Sequence, residues 1–514
     1  MNTIKVPEKR KIYKIILFFF FLGIGAFFRF HNFGNVPAGV NQDEAFGAYE
    51  AYSLMYYGID SAGYHNPVYL ATWGSGMSVL NSWLMMPFIK LFGFNTFSIR
   101  LPQAILGTIS LCFVFLFTRK IYGDWTGLTA LGLLAVCPWH ILMSRWGLDC
   151  NLAPGLMIIA SYFFLLGIEN EKYFILSAFF YGLSLYAYAT LWTIIPVILV
   201  CKLLYLIFTG KFHFSVSMAA GALILLIMAM PLILFVSVNL GFLEEIKTSW
   251  ISIPRLYYFR AGEISLRNFP ENIGNLLSIL IHQSDNFPWN SADGYGFLGY
   301  MTLVLSCFGL SVFLLDIYRE TRNSEKKYNR KSILLINFLV PFFFSGLIHV
   351  NINRINILFI PMVILASIGF RKIQNRILTA GLILYFVWFT ISFANYYFSE
   401  FNRQVNYDFN TGLDQALEMA AAKSDKIYLS SDISYPHILF YQKIPVNDFR
   451  ESVTYIYYPT AYEAVSFSNY SYIFDPENPD PNCSYIIGDD TDMRPFEENG
   501  FVINNYRRFR VAHR

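Results

Sequence analysis

The chain has 514 residues, of which 55% are hydrophobic, 18% aromatic and only 14% charged. Soluble proteins carry about 25% charged residues, so this composition indicates an integral membrane protein and excludes a disordered chain. The formal net charge of +3 gives no sign of a basic face for nucleic acid, and the lipid bilayer is the expected environment.

Eleven apolar runs predict membrane-spanning helices, since a helix needs about 20 mostly apolar residues to cross about 30 Å of hydrocarbon. The first run follows the basic stretch Lys5–Lys14, and no small-residue cleavage site comes after it. We therefore interpret it as a retained span and not as a signal peptide. The predicted spans are 12–30, 98–118, 124–140, 151–168, 172–189, 190–208, 214–238, 298–318, 332–350, 355–370 and 377–397.

Lys and Arg are distributed unevenly between the two sets of connections. The short connections on the side of the N-terminus hold 19 of them, and the longer connections on the other side hold nine. Because basic residues collect on the cytoplasmic side, we predict a multi-pass plasma-membrane protein whose N-terminus is cytoplasmic. The apolar segment Gly76–Gly93 would invert every later loop if it crossed, so we predict an interfacial or re-entrant helix there; a twelfth span is the alternative.

The composition changes after Phe398. The last 117 residues hold 17 acidic and 10 basic side chains, which predicts a small extracytoplasmic α/β domain over 398–514 that follows a transmembrane domain over 1–397. Periodicity predicts helices over Gly412–Ala422 and Pro436–Gln442, strands over Lys426–Ser431, Ser484–Gly488 and Phe501–Val511, and a Pro-rich loop over Asp475–Pro481.

Two outer loops, 29–97 and 239–297, are much longer than the other connections, and long loops tend to carry function. The first contains Asp43 and Glu44 between apolar residues. Adjacent carboxylates that lose water raise the pKa of at least one of the two, and such a carboxylate can accept a proton from an attacking hydroxyl. The alternative is that Asp43 is the N-cap of a helix over 44–55.

The order of motifs in this region resembles the N-terminal third of glycosyltransferase family 39. The motifs are Asn41-Gln-Asp43-Glu44-Ala-Phe, His65-Asn-Pro-Val-Tyr, Trp73-Gly-Ser-Gly-Met-Ser, Phe97-Ser-Ile-Arg100-Leu-Pro-Gln-Ala and Ser144-Arg145-Trp-Gly-Leu-Asp149. That family groups polyprenyl-phosphate-sugar-dependent protein mannosyltransferases with the bacterial transferase that adds aminoarabinose to lipid A. The resemblance covers residues 1–155 well, the middle of the chain by topology alone, and the C-terminal domain hardly at all.

This resemblance implies a GT-C fold, with an active site at the outer membrane face and a donor sugar on a polyprenyl monophosphate. With the eleven apolar runs, it predicts an all-α polytopic membrane protein of about 11 transmembrane helices that carries the small C-terminal α/β domain. It implies that Asp43 is the catalytic base, that Glu44 helps to hold the acceptor or the sugar, and that Arg100 supports the acidic site. The sequence lacks the Lys-Pro-Pro element of many bacterial relatives. The hydroxyl-bearing acceptor therefore stays open between protein, lipid and glycan.

A lipid phosphate that leaves during transfer needs cations to hold its charge, and arginine is well suited to this role. Several candidates also have a structural alternative. Arg145 and Asp149 are four residues apart and could form a salt bridge. Lys90 could extend its amine to the membrane surface, and Arg255 and Arg260 could anchor an interfacial helix. His349 and Arg354 flank a polar break between two spans. The predicted substrate-binding residues are Lys90, Arg100, Arg145, Asp149, Arg255, Arg260, His349 and Arg354.

These patterns predict an inverting membrane glycosyltransferase that moves a sugar from a polyprenyl-phosphate donor to an acceptor hydroxyl on the extracytoplasmic face. No cofactor or metal site is expected, although a divalent cation at Asp43, Glu44 or Asp149 is an alternative. Two other functions remain open at this stage: a secondary transporter or flippase, and a polysaccharide polymerase or ligase that uses diphosphate-linked donors.

Overall fold

The long apolar runs fold into helices in the computed structural model, which describes residues 8–323, 329–488 and 492–514. The helices of the membrane part and its outer loops are α1 (Glu8–Phe30), α2 (Gln42–Tyr57), α3 (Leu80–Phe92), α4 (Thr96–Tyr122), α5 (Asp124–Ala135), α6 (Pro138–Met143), α7 (Ala153–Gly167), α8 (Tyr173–Leu185), α9 (Leu191–Phe208), α10 (Val216–Asn239), α11 (Phe269–His282), α12 (Tyr300–Asn323), α13 (Lys331–Ser345), α14 (Phe359–Lys372) and α15 (Arg376–Ser399).

Within the described residues, eight helical segments are long and apolar enough to cross a membrane, and they lie in or extend α1, α4, α7, α9, α10, α12, α14 and α15. Two further predicted spans, 172–189 and 332–350, contain the shorter apolar helices α8 and α13. The predicted span 124–140 is not a single helix. It breaks between α5 and α6 because Cys137 is extended and Pro138, which has no N–H group, starts the next helix.

Helix α3 occupies the segment for which we predicted an interfacial or re-entrant helix. Its 13 residues give a length of about 20 Å, which is too short to cross the hydrocarbon layer. The helix packs against α2 and α4, and its exposed end carries Leu91 and Phe92. These features support an interfacial helix over a twelfth span.

The chain after α15 contains the helices α16 (Phe401–Gln404), α17 (Leu413–Lys423), α18 (Tyr435–Gln442), α19 (Val446–Ser452) and α20 (Arg494–Glu498). The first outer loop and the second are linked by the bridge Pro67–Ser252, beside a ribbon of β1 (Ile246–Lys247) and β2 (Ser252–Ile253). The C-terminal strands are β3 (Ile427–Leu429), β4 (Thr454–Tyr457), β5 (Tyr462–Phe467), β6 (Tyr470–Ser471), β7 (Ser484–Gly488), β8 (Val502–Tyr506) and β9 (Phe509–His513).

These seven strands form one mixed sheet in the order β4-β5-β6-β3-β7-β9-β8, in which β3 is parallel to both of its neighbours. The sheet and its helices confirm the predicted α/β character of the C-terminal domain. The predicted strand Phe501–Val511 is wrong as a single element, because the chain turns at Arg507, whose φ is +54°, and forms the hairpin of β8 and β9. The domain boundary at 397/398 stays a prediction, since α15 continues to Ser399.

Candidate active site

Asn41, and not Asp43, caps helix α2. The Asn41 Oδ1 atom accepts the backbone N–H of Asp43 at 3.1 Å, and Asp43 is the second residue of the helix. The interpretation of Asp43 as the N-cap is therefore wrong, and its carboxylate is not used for capping. Successive helical residues point about 100° apart, so Asp43 and Glu44 enter different surroundings.

Glu44 is fully buried in an ion pair with Arg100. The Arg100 Nε and Nη2 groups donate to its two carboxylate oxygens at 2.7 and 2.8 Å, and the backbone N–H of Gly147 donates to Glu44 Oε1 at 2.7 Å. The rest of the guanidinium donates to three backbone carbonyls within residues 34–39. Arg100 thus binds Glu44, one member of the acidic pair, and holds it in place. The contact of Glu44 with the acceptor or the sugar stays a prediction.

The Asp43 carboxylate is partly buried and has no hydrogen bond or ion pair among the residues that the structure describes. Burial raises the pKa of Asp43 to about 6, and the nearby Arg260 guanidinium opposes that rise. A carboxylate of this pKa is ionised at neutral pH and is a stronger base than an exposed one. It therefore has the protonation behaviour that a general base needs.

Asp149 lies close enough to Asp43 for their charges to interact. It begins a short 3₁₀ turn, and its two oxygens accept the backbone N–H groups of Ser78 at 3.1 Å and Cys150 at 2.7 Å. These bonds fix the carboxylate at the junction of the first outer loop with the membrane part. Asp149 is thereby held next to the candidate base.

Arg260 and Arg354 come from distant parts of the chain and meet at Glu263. Arg354 Nη2 lies 3.0 Å from Glu263 Oε2, and Arg260 Nε lies 3.8 Å from Glu263 Oε1. Arg260 Nη2 also donates to the Ser75 hydroxyl at 2.7 Å. The structure therefore brings together Asp43, Asp149, Arg260 and Arg354 of the predicted residues.

Aromatic rings flank this group. The Tyr69 ring lies 5.4 Å from that of Trp192 and 4.8 Å from that of Phe235, and its hydroxyl is near enough to Asp149 and Arg260 for their charges to act on it. The Tyr188 hydroxyl is similarly close to Asp149 and Arg354. Binding sites for organic ligands commonly combine such apolar walls with a few polar groups.

Arg145 is fully buried, and its guanidinium donates to backbone carbonyls of Phe28, His31, Asn32 and Val36 at 2.7–3.2 Å. The Tyr397 ring stacks against it at 5.3 Å. These contacts join the segment that follows α6 to the end of α1 and to α15. The Arg145 guanidinium therefore holds backbone carbonyls and does not form the alternative salt bridge with Asp149, whereas its contact with substrate stays a prediction.

The remaining predicted residues lie outside the group around Asp43. Lys90 is exposed in the last turn of α3. Arg255 is exposed and pairs with Glu244 at 3.2 Å. His349 is exposed, and only its backbone carbonyl meets the site, where it accepts from Arg354 Nη1 at 3.4 Å.

A second carboxylate pair, which we did not predict, is buried farther along α2. Both Glu50 oxygens accept from Ser61, the Oε2 atom from its backbone N–H at 2.8 Å, and Asp60 Oδ1 accepts the Tyr64 backbone N–H at 2.7 Å. Burial raises the pKa of both carboxyls, and the charge of Asp60 raises that of Glu50 further.

The C-terminal domain packs directly on α2. Phe46 and Tyr49 of that helix belong to the apolar core formed by α17, α18 and the sheet, and the Tyr49 hydroxyl donates to the Ile444 carbonyl at 2.8 Å. At the start of the helix, the Gln42 side chain accepts from the Ser434 hydroxyl at 2.8 Å. The helix that carries Asp43 is thus held on one side by Arg100 and on the other by the C-terminal domain.

Within the part of the chain that the structure describes, no three His, Cys, Asp or Glu side chains form a group that could hold a metal ion. Of the three carboxylates considered as ligands of a divalent cation, Glu44 is not available, because Arg100 and Gly147 donate hydrogen bonds to its oxygens. Asp43 and Asp149 remain as a pair.

The family model described as dolichyl-phosphate-mannose-protein mannosyltransferase matches residues 77–235. No curated protein sequence matches the chain. The matched segment begins just before α3 and ends inside α10, so it includes Arg100, Arg145 and Asp149.

Solved structures show the fold. ArnT from Cupriavidus metallidurans bound to undecaprenyl phosphate superposes with a TM-score of 0.58 at 13% identity, and 97% of each chain is covered. Its apo state gives 0.57 at 14% identity with the same coverage. The oligosaccharyltransferase from Archaeoglobus fulgidus in its apo form gives 0.46 at 13% identity, covering 85% of this chain and 64% of that one.

These findings confirm the resemblance and the fold class predicted from the sequence. The chain is a multi-pass membrane protein with the GT-C fold of the lipid-phosphate-dependent glycosyltransferases, and it carries a match to the model of one of their families.

Proposed function

We propose that the protein transfers a sugar from a polyprenyl-phosphate donor to an acceptor hydroxyl at the extracytoplasmic face of the plasma membrane. Asp43 supports this proposal, because its carboxylate has a raised pKa, has no partner among the described residues and lies near Arg260, which meets Arg354 at Glu263. The uneven distribution of Lys and Arg supports a cytoplasmic N-terminus and an extracytoplasmic C-terminal domain.

In the proposed reaction, Asp43 accepts the proton of the acceptor hydroxyl while the hydroxyl oxygen forms a bond to the anomeric carbon. The bond between that carbon and the phosphate oxygen breaks, and its electron pair leaves with the polyprenyl phosphate. Arg260 and Arg354 hold the developing phosphate charge, which fixed cations in a partly buried site do effectively. A single displacement of this kind inverts the configuration of the anomeric carbon.

The polyprenyl chain requires an apolar path that begins beside the arginines. A narrow groove between α7, α9, α13 and α14 is lined by apolar side chains and by the polar Ser161 and Asn337. Its lining includes Ile357, three residues after Arg354, and Pro154, five residues after Asp149. Its volume is about 20 Å³, enough for a water molecule but not for a lipid chain. Entry of the donor through this groove would require α9 and α13 to separate.

Transfer measured with purified Asp43→Asn protein tests the proposal. We expect turnover to fall by at least about 100-fold, which is the usual contribution of a general base. The thermal unfolding midpoint should not fall, because the Asp43 carboxylate has no hydrogen bond or ion pair to lose among the described residues. Asp414→Asn is a matched control, since Asp414 is likewise the second residue of its helix, α17, and its side chain is exposed. Turnover by Asp43→Asn at the rate of the control would contradict the assignment of the base.

A comparison of monophosphate-linked with diphosphate-linked sugar donors tests the donor class. The two guanidinium groups of Arg260 and Arg354 suffice to bind one phosphate group but not two, so we expect transfer from the monophosphate-linked donor alone. Transfer from the diphosphate donor alone would instead favour a polymerase or ligase.

A further inference from the structure

The position of Glu263 between Arg260 and Arg354 has no part in the reaction just described. Its two oxygens are divided between the two guanidinium groups, at 3.8 and 3.0 Å. A phosphate monoanion that bridged the same two cations would present its oxygens in the same way. The protein therefore places its own anion where the proposed donor phosphate should bind.

We propose that Glu263 is an internal competitor of the donor phosphate, which pairs with both arginines in the free enzyme and leaves them when the lipid binds. This inference rests on the proposed function, because it assumes that Arg260 and Arg354 receive the phosphate. Glu263 then has a regulatory role, since it holds the two cations together without a ligand and weakens donor binding.

The local structure permits this exchange. Glu263 ends the 3₁₀ turn Arg260–Glu263 in the second outer loop, and its side chain is 35% exposed. Two residues later, the backbone N–H of Ser265 donates to the Leu347 carbonyl at 2.8 Å. The backbone is thus anchored near Glu263, while its side chain needs only torsional rotation to turn toward solvent.

The arginines are also arranged to remain in place after Glu263 has left. Arg260 keeps its 2.7 Å bond to the Ser75 hydroxyl. Arg354 keeps its bond to the His349 carbonyl, and its own backbone N–H donates to Asn351 Oδ1 at 2.9 Å. The phosphate would therefore exchange with Glu263 without rearrangement of the cations.

The size of the effect follows from the exposure of the two pairs. Side chains of Arg260 and Arg354 are 52% and 19% exposed, and partly exposed ion pairs shift an equilibrium by up to about five-fold each. When Glu263 occupies the arginines most of the time, the apparent affinity for the phosphate equals the intrinsic affinity multiplied by the fraction of protein in which the arginines are free. We expect Glu263→Gln to bind a polyprenyl monophosphate about five-fold more tightly than wild type.

Binding of farnesyl phosphate and of uncharged farnesol to the full chain in detergent tests this inference. Glu263→Gln should bind farnesyl phosphate more tightly and farnesol with unchanged affinity. Glu244→Gln is the matched control, because it removes a carboxylate from another arginine pair of the same loop, and it should bind both probes as wild type does. Glu263→Ala should repeat the result of Glu263→Gln, since the competition depends on charge.

Two outcomes would overturn the inference. Unchanged affinity for farnesyl phosphate in Glu263→Gln would show that Glu263 does not compete, and weaker binding would show that it positions the arginines for the phosphate. The proposed function fails separately, if Arg354→Gln and Arg260→Gln both bind farnesyl phosphate as tightly as wild type.

Discussion

Replacement of Glu44 by Gln should destabilise the protein severely, although the change removes only one charge. The Glu44 carboxylate accepts three hydrogen bonds, two of them from the fully buried Arg100. A glutamine whose carbonyl oxygen occupies the Oε1 position keeps the bonds from Arg100 Nε and Gly147. Its NH₂ group then faces Arg100 Nη2, so that a donor meets a donor.

The free-energy cost has two parts. Loss of one charge-assisted hydrogen bond costs about 1.5–3 kcal/mol, and the remaining buried guanidinium has lost its counter-ion. Removing one partner of a buried pair costs about 3–5 kcal/mol in total, and we expect a loss of stability in that range.

Unfolding of the purified protein in detergent, followed by tryptophan fluorescence against denaturant, measures this loss. Arg100→Met and the double variant complete a double-mutant cycle, in which the double variant should be less destabilised than the sum of the single variants. Glu244→Gln, which breaks the exposed pair with Arg255, should leave the unfolding midpoint unchanged.

Two results would refute this reasoning. Wild-type stability of Glu44→Gln would show that the ion pair does not hold α2. A stable Glu44→Gln variant that has lost transfer would show that Glu44 acts on the substrate, as the sequence resemblance implies.

Two further predictions concern pH. The base must be deprotonated and the pKa of Asp43 is about 6, so kcat/KM for transfer should fall about tenfold per pH unit below pH 6. Arg260→Gln should move this fall to higher pH, because the guanidinium lowers the pKa of Asp43. A kcat/KM that stays constant down to pH 4.5 would contradict the assignment of the base. Burial raises the pKa of Glu50 and Asp60, so the folded state binds their protons more tightly and stability should fall as pH rises from the ordinary carboxyl range through neutrality. Glu50→Gln should reduce that fall in a series of thermal unfolding midpoints, and an unchanged slope would contradict the buried pair.

Hydropathy predicted the membrane part well because each span must bury its backbone polar groups within one helix. Exceptions are the break between α5 and α6, where Pro138 starts a new helix, and the runs 172–189 and 332–350, whose helices are shorter than a full span. Hydropathy averaged over the run detects apolar side chains but does not detect a missing N–H group.

The sequence predicted Asp43 as the reactive carboxylate but did not separate its surroundings from those of Glu44. Adjacent residues share composition and flanking sequence, and only the direction of each side chain distinguishes them. The partner of Glu44 is 56 residues away along the chain, so no local pattern reveals the pair.

Glu263 and the strands β4 to β6 were missed for different reasons. Glu263 lies three residues after Arg260, which is typical of a simple surface pair, and its contact with Arg354 depends on the tertiary fold. The strands are short and rich in tyrosine, and their alternation is weak because both faces are partly exposed.

The contact between α2 and the C-terminal domain has a consequence for biogenesis. The surroundings of α2 are completed by residues that the ribosome makes much later, such as Ile444, which follows Tyr49 by 395 positions and whose carbonyl accepts the Tyr49 hydroxyl. A nascent chain with every span inserted but without the C-terminal domain would hold α2 only on the side of Arg100. Asp43 would then reach its final surroundings only after the C-terminal domain has been made and has packed on α2.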